Sequence, residues 1–305
     1  MNPEKGHKES PISSSGRVIK IYHQCYATWM LWLPLLLSIE VEAQQRVTWA
    51  NHIACLVYSH CTPCHQDDGI APFPLQSYDD AFAHRYAMEV AIATRLMPPW
   101  PPSVEDTLIS HNRALTEAEV SLFRDWISQG APEGDLAEAP KPPQSISTIE
   151  IQDPDRTITL PLYEIPDLKE LDLYRCFVID PDLEEDRYIT GIEIIPGNRQ
   201  VVHHVLLFQD STGIPEELDL EDPDAGYTCF GGVGSDAASL ISGWVPGSGA
   251  TFTPEGMGIF LSKGSRLIAQ VHYPEGTAGA TDQTRIRLKF SEHSQLRRIP
   301  VSYTH

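Results

Sequence analysis

Two short stretches of this chain hold residues that do chemistry at close spacing. The first is Cys61-Thr62-Pro63-Cys64-His65. Two thiols three residues apart can each reach one vinyl group of a single haem, and the next residue can ligate its iron. The motif therefore reads as c-type haem attachment, with Cys61 and Cys64 covalent and His65 axial. A redox dithiol and half of a zinc site are the rival readings. A thioredoxin-like dithiol follows a strand and opens a helix, whereas Trp49, Ile53, Leu56 and Val57 recur at helical spacing just before this motif. A four-ligand zinc site needs a second ligand pair, and none with good spacing follows. The second stretch is Val201-Val202-His203-His204-Val205-Leu206-Leu207-Phe208. Burying an imidazole among Val and Leu costs free energy unless something binds it, and neutral imidazole is the commonest metal ligand. Neighbouring side chains on a strand point to opposite faces, so both rings reach one metal only if the backbone bends there. The plainer reading is one core histidine and one surface histidine on an ordinary strand.

The elements that must position these residues change in character along the chain. Ser77 with Asp80 three residues on reads as a helix start, with the helix running to about Arg95. Met97-Pro98-Pro99-Trp100-Pro101-Pro102 follows. A residue before proline is pushed out of the α region, so Met97 is expected on a stiff, extended segment that would hold its thioether as the sixth iron ligand. The alternatives are His84, Met88 or an open position. Thr116-Glu117-Ala118-Glu119 is a capping box, followed by Val120, Phe123, Trp126 and Ile127 on one face and a stop at Gly130. Three helices around a thioether-linked haem make a small cytochrome c-like domain, residues 44–136. The proline-rich stretch Ala131–Gln144 reads as a linker, bounded at 137–150 between the two domains. Beyond it the period changes. Runs at Arg156–Leu162, Tyr174–Ile179, Tyr188–Ile195, Val201–Phe208, Gly258–Leu261, Arg266–Tyr273 and Thr284–Phe290 are separated by Pro, Gly and Asp clusters. They predict an antiparallel β-sandwich over 151–305. Alternation in Arg266–Tyr273 places Ile268, Gln270 and His272 on one face, so His272 is a candidate third metal ligand from a different strand.

The formal charge is −20, which disfavours nucleic acid and anionic membrane surfaces as partners. The acidic runs Asp180–Asp186 and Glu216–Asp224 lack the spacing and glycine of a calcium loop and read as solvated loops. Arg17 and Lys20 precede an apolar run from Trp29 to Ile39, and Val41-Glu42-Ala43 offers small residues where a signal peptidase cuts. Residues 1–43 thus read as a polar start and a secretory signal, with an exported mature chain beginning near Gln44. A membrane tether follows only if that segment stays uncleaved. With Cys61 and Cys64 on haem and Cys25 cleaved off, Cys55, Cys176 and Cys229 remain. An exported sandwich would readily pair Cys176 with Cys229, leaving Cys55 as a buried free thiol.

Tyr174-Arg175-Cys176, Thr190–Pro196, Val202–Phe208, Cys229 and Gln270-Val271-His272-Tyr273 resemble, in order, the first domain of the copper type II, ascorbate-dependent monooxygenases. The resemblance covers about residues 150–295. It implies a jelly-roll sandwich, a Cys176–Cys229 disulfide, an electron-transfer copper held by His203, His204 and His272, and a reductant such as ascorbate. Zinc is the alternative ion, since imidazole accepts both. Cys61–His65 with Ala71-Pro72-Phe73, Met97–Trp100 and Gly130–Gly134 resembles the cytochrome c module fused to such domains. These enzymes activate oxygen at a second copper, bound by a His-x-His pair and a Met in a second sandwich. Only His293 and His305 follow His272, and no His-x-His does. The resemblance therefore implies an oxidoreductase represented here by its electron-delivery half, with no catalytic residue identified. The alternative is a non-catalytic electron carrier or metal-binding protein that feeds a separate partner.

Overall fold

Local signals account for the helices of the first part. A π-helical turn, Trp49–Ile53, is capped by the Thr48 hydroxyl and runs directly into α1, Ala54–His60. Helices α2, Tyr78–Ala93, and α3, Glu117–Ser128, each open on a reciprocal capping box, Ser77 with Asp80 and Thr116 with Glu119. The structure is a computed structural model of the chain and describes residues 46–99, 113–142, 149–167, 171–292 and 295–299. The expected signal segment, Trp100–Pro102, His293 and His305 lie outside these residues.

Trp49, Ile53, Val57, Met88, Phe123 and Trp126 bury their side chains in one helical core. Met88 is therefore a packing residue. Ala131–Gly134 also belongs to this part rather than to a linker. The amides of Trp49 and Ala50 donate to the carbonyls of Pro132 and Glu133, both at 2.9 Å, and the Trp126 indole donates to Pro132 at 3.0 Å. Cys55 is a free thiol but an exposed one, contrary to expectation. On α1 the core takes Ala54 and Val57, and the turn of about 100° per residue swings Cys55 away from it.

The rest of the described chain is mostly β-sheet. In order the strands are β1 Arg156–Thr159, β2 Tyr163–Glu164, β3 Leu173–Ile179, β4 Arg187–Ile195, β5 His204–Asp210, β6 Tyr227–Thr228, β7 Ser239–Trp244, β8 Thr251–Phe252, β9 Met257–Leu261, β10 Arg266–Tyr273, β11 Thr281–Asp282, β12 Arg285–Phe290 and β13 Arg297–Arg298. One sheet runs β1-β12-β4-β9-β13 with β8 beside β4, the other β6-β3-β10-β5-β7, and β11 pairs β2 separately. Ile189, Ile192, Ile286 and Leu288 of the first sheet share a core with Phe177, Val205, Leu207, Leu267 and Val271 of the second, so the two sheets form a sandwich. Each of the seven expected strands is present. The acidic run from Glu216 is not a loop, because helix α4, Ile214–Glu221, occupies most of it. Pro215 stands in its first turn, and Glu216 and Glu217 complement the positive end of its dipole. The run Asp180–Asp186 is a loop, as expected.

The outer face of β3, β10 and β5 carries a smaller cluster. Ile268, Phe208, Tyr227 and the Cys176–Cys229 disulfide pack there, with Leu218 of α4 against them. The alternation expected in β10 holds. Leu267, Ala269, Val271 and Tyr273 face the main core, and Ile268, Gln270 and His272 take the other face. The helical part and the sandwich belong to one compact unit. No helix of the described residues is long and apolar enough to cross a membrane.

Candidate metal centre

β10 is the middle strand of its sheet, paired along its length with β3 on one side and β5 on the other. In these ladders His272 lies directly opposite His204 on β5 and Tyr174 on β3. His203 is not on the strand. The amides of Val201 and Val202 turn back to the carbonyl of Asn198, and the His203 amide donates to the carbonyl of His272 at 2.9 Å. Strand β5 then starts at His204. Two neighbouring side chains can thus reach one point because one of them belongs to the turn that feeds the strand.

The three rings converge through one kind of atom. Nδ1 of His203 is 3.1 Å from Nδ1 of His204 and 3.2 Å from Nδ1 of His272, and the third side of the triangle is 3.4 Å. Nitrogens bound at about 2.0 Å to one tetrahedral ion lie about 3.3 Å apart. Neutral imidazoles offer one donor and one acceptor each, so three nitrogens at these distances cannot all be paired by hydrogen bonds. An ion at the centre satisfies all three, and the donor set fits one. Burial, with the neighbouring rings His272 and His203, pushes the His204 imidazole down to about 4. Burial and His203 also lower His272, against the opposing effect of Asp172. Both are therefore neutral near pH 7, the form that ligates metals. His203 is exposed and His204 partly so, which leaves one side of the triangle open to a further ligand or an electron donor.

Residues around the triangle hold it. Nε2 of His272 lies 3.2 Å from Oδ2 of Asp172, a close polar contact rather than a well-aligned hydrogen bond. The Glu275 amide donates to Oδ1 of the same carboxylate at 3.0 Å. A carboxylate behind a ligating histidine places the proton on the far nitrogen and aims the other at the metal. Tyr174 stacks on His272 with centroids 4.3 Å apart and planes 3° from parallel. Gln270, buried two residues before His272, donates to the Gly232 carbonyl at 2.8 Å and packs against the sulfur of Cys229. Sequence reasoning missed Asp172. Its position just before Tyr174-Arg175-Cys176 carries no spacing signal, and only strand pairing brings it behind a ring 100 residues away.

The second candidate site is local. Cys61 ends α1, and His65 lies within the turns that follow. The His65 Nδ1–H donates to the Phe73 carbonyl at 3.0 Å, which leaves Nε2 as the free ligand atom. Cys61 and Cys64 are free thiols. Burial pushes Cys61 up to about 12 and raises Cys64 as well. A redox dithiol needs the opposite, a thiolate favoured at a helix N-terminus, and Cys61 stands at the negative end of a helix. These surroundings disfavour dithiol exchange and leave Nε2 of His65 available as a ligand atom. Met97 does not sit on a simple extended segment. Its amide donates to the carbonyl of Ala91 at 3.1 Å, so it closes the end of α2, with its side chain nearly half exposed. The ring of His84 instead stacks on Phe73, 3.8 Å between centroids, behind the carbonyl that holds His65.

No family model matches this chain, and no curated protein matches it.

Proposed function

We propose that this chain is an exported haem–copper electron-transfer protein of the copper type II monooxygenase kind. Its cytochrome c-like part would carry haem on Cys61, Cys64 and His65, and its jelly-roll sandwich would hold copper on His203, His204 and His272. The observation that carries the reading is the triangle of three Nδ1 atoms, 3.1 to 3.4 Å on a side, with neutral imidazoles at His204 and His272. Bound copper supplies one-electron chemistry, and three imidazoles serve both of its oxidation states. The protein's part is to hold those rings on two paired strands and the turn that feeds one of them, so that little reorganisation accompanies the change of charge. The disulfide between Cys176 and Cys229 and the apolar run before Gln44 support export. The axial partner of His65 is Met97 on this reading, with His84 the rival.

Metal and haem analysis of the chain, expressed with periplasmic haem maturation, tests the proposal. One covalent haem and one copper per chain are expected, the copper lost in His203→Ala with His204→Ala while the circular dichroism of the sandwich is kept. Haem without copper would reduce the chain to a cytochrome bearing a sandwich. Zinc retained in preference to copper would remove the electron-transfer role.

A second reading rests on the exposed edge of the triangle. The chain would then be a non-catalytic carrier that passes electrons to a separate partner docking beside His203. Substrate hydroxylation by this chain alone would exclude a pure carrier.

A further inference from the structure

The helical part touches the sandwich close to both candidate sites. Pro63, inside the Cys61–His65 motif, and Gln66, Gly69 and Ile70 just after it face Trp244, Pro246 and Gly247 across a cleft of about 10 Å3, room for about one water. Trp244 ends β7 and pairs with Val205, the residue next to His204. The contact is pinned at both edges. Arg113 Nη1 donates to the Pro246 carbonyl at 3.1 Å, and the Gln200 side chain, three residues before His203, donates to the Asp67 carbonyl at 3.3 Å. The Arg113 carbonyl in turn accepts from Nδ1 of His60, at the end of α1. Gly247 has a left-handed φ of +86°, and a Cβ there would stand 2.8 Å from Cβ of Pro63. The close approach of the two parts depends on a glycine at this position.

We infer that this seam is the electron route between the two prosthetic-group sites, with Trp244 the positioning residue at its centre. The inference rests on the proposed haem and copper sites. One electron crosses the seam from the motif at Cys61–His65 to the triangle at His203, His204 and His272. With haem and copper bound, iron would be oxidised from ferrous to ferric as copper is reduced from cupric to cuprous, no bond would form or break, and a small-molecule reductant such as ascorbate would restore the ferrous state. The close approach of Gly247 to Pro63 and the ladder pairing of Trp244 with Val205 join the two sites through packed protein.

The test uses the full chain loaded with haem and copper. The haem is photoreduced by a laser flash, and its re-oxidation by copper is followed in the visible spectrum. Trp244→Leu and Gly247→Val should each slow this intramolecular step at least tenfold with haem content, copper content and both reduction potentials unchanged, and Trp244→Phe should recover part of the rate. In the metal-free, haem-free chain, Gly247→Val should speed amide hydrogen exchange over residues 64–71 relative to wild type. Should Trp244→Leu fail to fold, Gly247→Val and the exposed Gln200→Ala carry the test, the latter with a smaller slowing. Unchanged re-oxidation in folded, fully loaded Gly247→Val overturns the route while leaving both sites standing. A chain that takes up haem or copper but not both overturns the proposed function itself, and the route with it.

Discussion

The two candidate sites of this molecule are built in opposite ways. The helical part concentrates its chemistry in five consecutive residues at the end of one helix, and the sandwich assembles its three histidines from a turn and two strands. The first site depends on the local path of one segment. Its main tertiary support is the hydrogen bond from His65 to Phe73, eight residues on. The second depends on ladders, since His204 and His272 are 68 residues apart and meet only through the β5–β10 register. A one-residue slip of that register would turn one ring to the other face. The sandwich site should therefore be the rigid, preorganised partner and the helical site the one completed by its ligand.

The sharpest way to break this contrast is to remove ligands on both sides. His272→Ala should weaken copper binding about a thousandfold or more, roughly 4 kcal/mol, in a calorimetric titration. His65→Ala should leave haem bound through Cys61 and Cys64 and change only its axial spectrum. Copper affinity within tenfold of wild type in His272→Ala would refute the three-point site.

Removing the disulfide tests which side carries the rigidity. Cys176 and Cys229 are 53 residues apart, and in the chain-entropy picture their link contributes about 4 kcal/mol. Cys176→Ser with Cys229→Ser should lower sandwich stability by about that amount in urea while haem attachment continues. Equal loss at both sites would mean that the helical site leans on the sandwich more than its local hydrogen bonds suggest.

Arg175 supplies the next effect. Buried beneath α4, it makes a two-pronged hydrogen bond to Asp222 at 2.8 Å and also donates to the carbonyls of Ala225 and Gly226. Those bonds hold the Asp222 carboxyl below the usual range. An acid whose pKa is lower in the folded state stabilises above its unfolded value, about 3.9, and loses that contribution as pH falls through the lower folded value. Sandwich stability should therefore fall below about pH 4. Arg175→Met should cost about 3 kcal/mol near neutral pH and flatten that acid-side slope. A slope identical to wild type would dissociate Asp222 from the effect.

Asp172→Asn should lower copper affinity by about 10- to 100-fold without changing the fold, with a shifted copper reduction potential as the second readout. No change in either would show that Tyr174 stacking alone orients His272. The smallest effect belongs to Cys55→Ser, on the exposed side of α1, where stability should stay within about 0.5 kcal/mol. A large loss would mean that Cys55 packs more closely than its exposure indicates.

Much of this was legible without coordinates, and for local reasons. The capping residues Ser77 and Thr116 announce helices because each satisfies amides within three residues of itself. Alternation in Arg266–Tyr273 placed Gln270 and His272 together because the strand period is two. The Cys61–His65 motif reads as haem attachment because its spacing alone would match the geometry of that group. The failures also have local causes. Cys55 sits one residue off a buried face, and the acidic run from Glu216 hid a helix because charge masked Pro215 and the amphipathic turn.

By itself the sequence determined which residues could ligate, which face of β10 carries His272 and where the helices begin, since each depends on contacts a few residues long. Tertiary structure alone decided that Nδ1 of each histidine faces the other two, and that His203 reaches the site from a turn. It also decided that Asp172 backs His272, and that Trp244 and Gly247 meet Pro63. Each of those is a pairing across tens of residues, where many partners have the right chemistry. Strand register, sheet order and the fit of one glycine against one proline select among them.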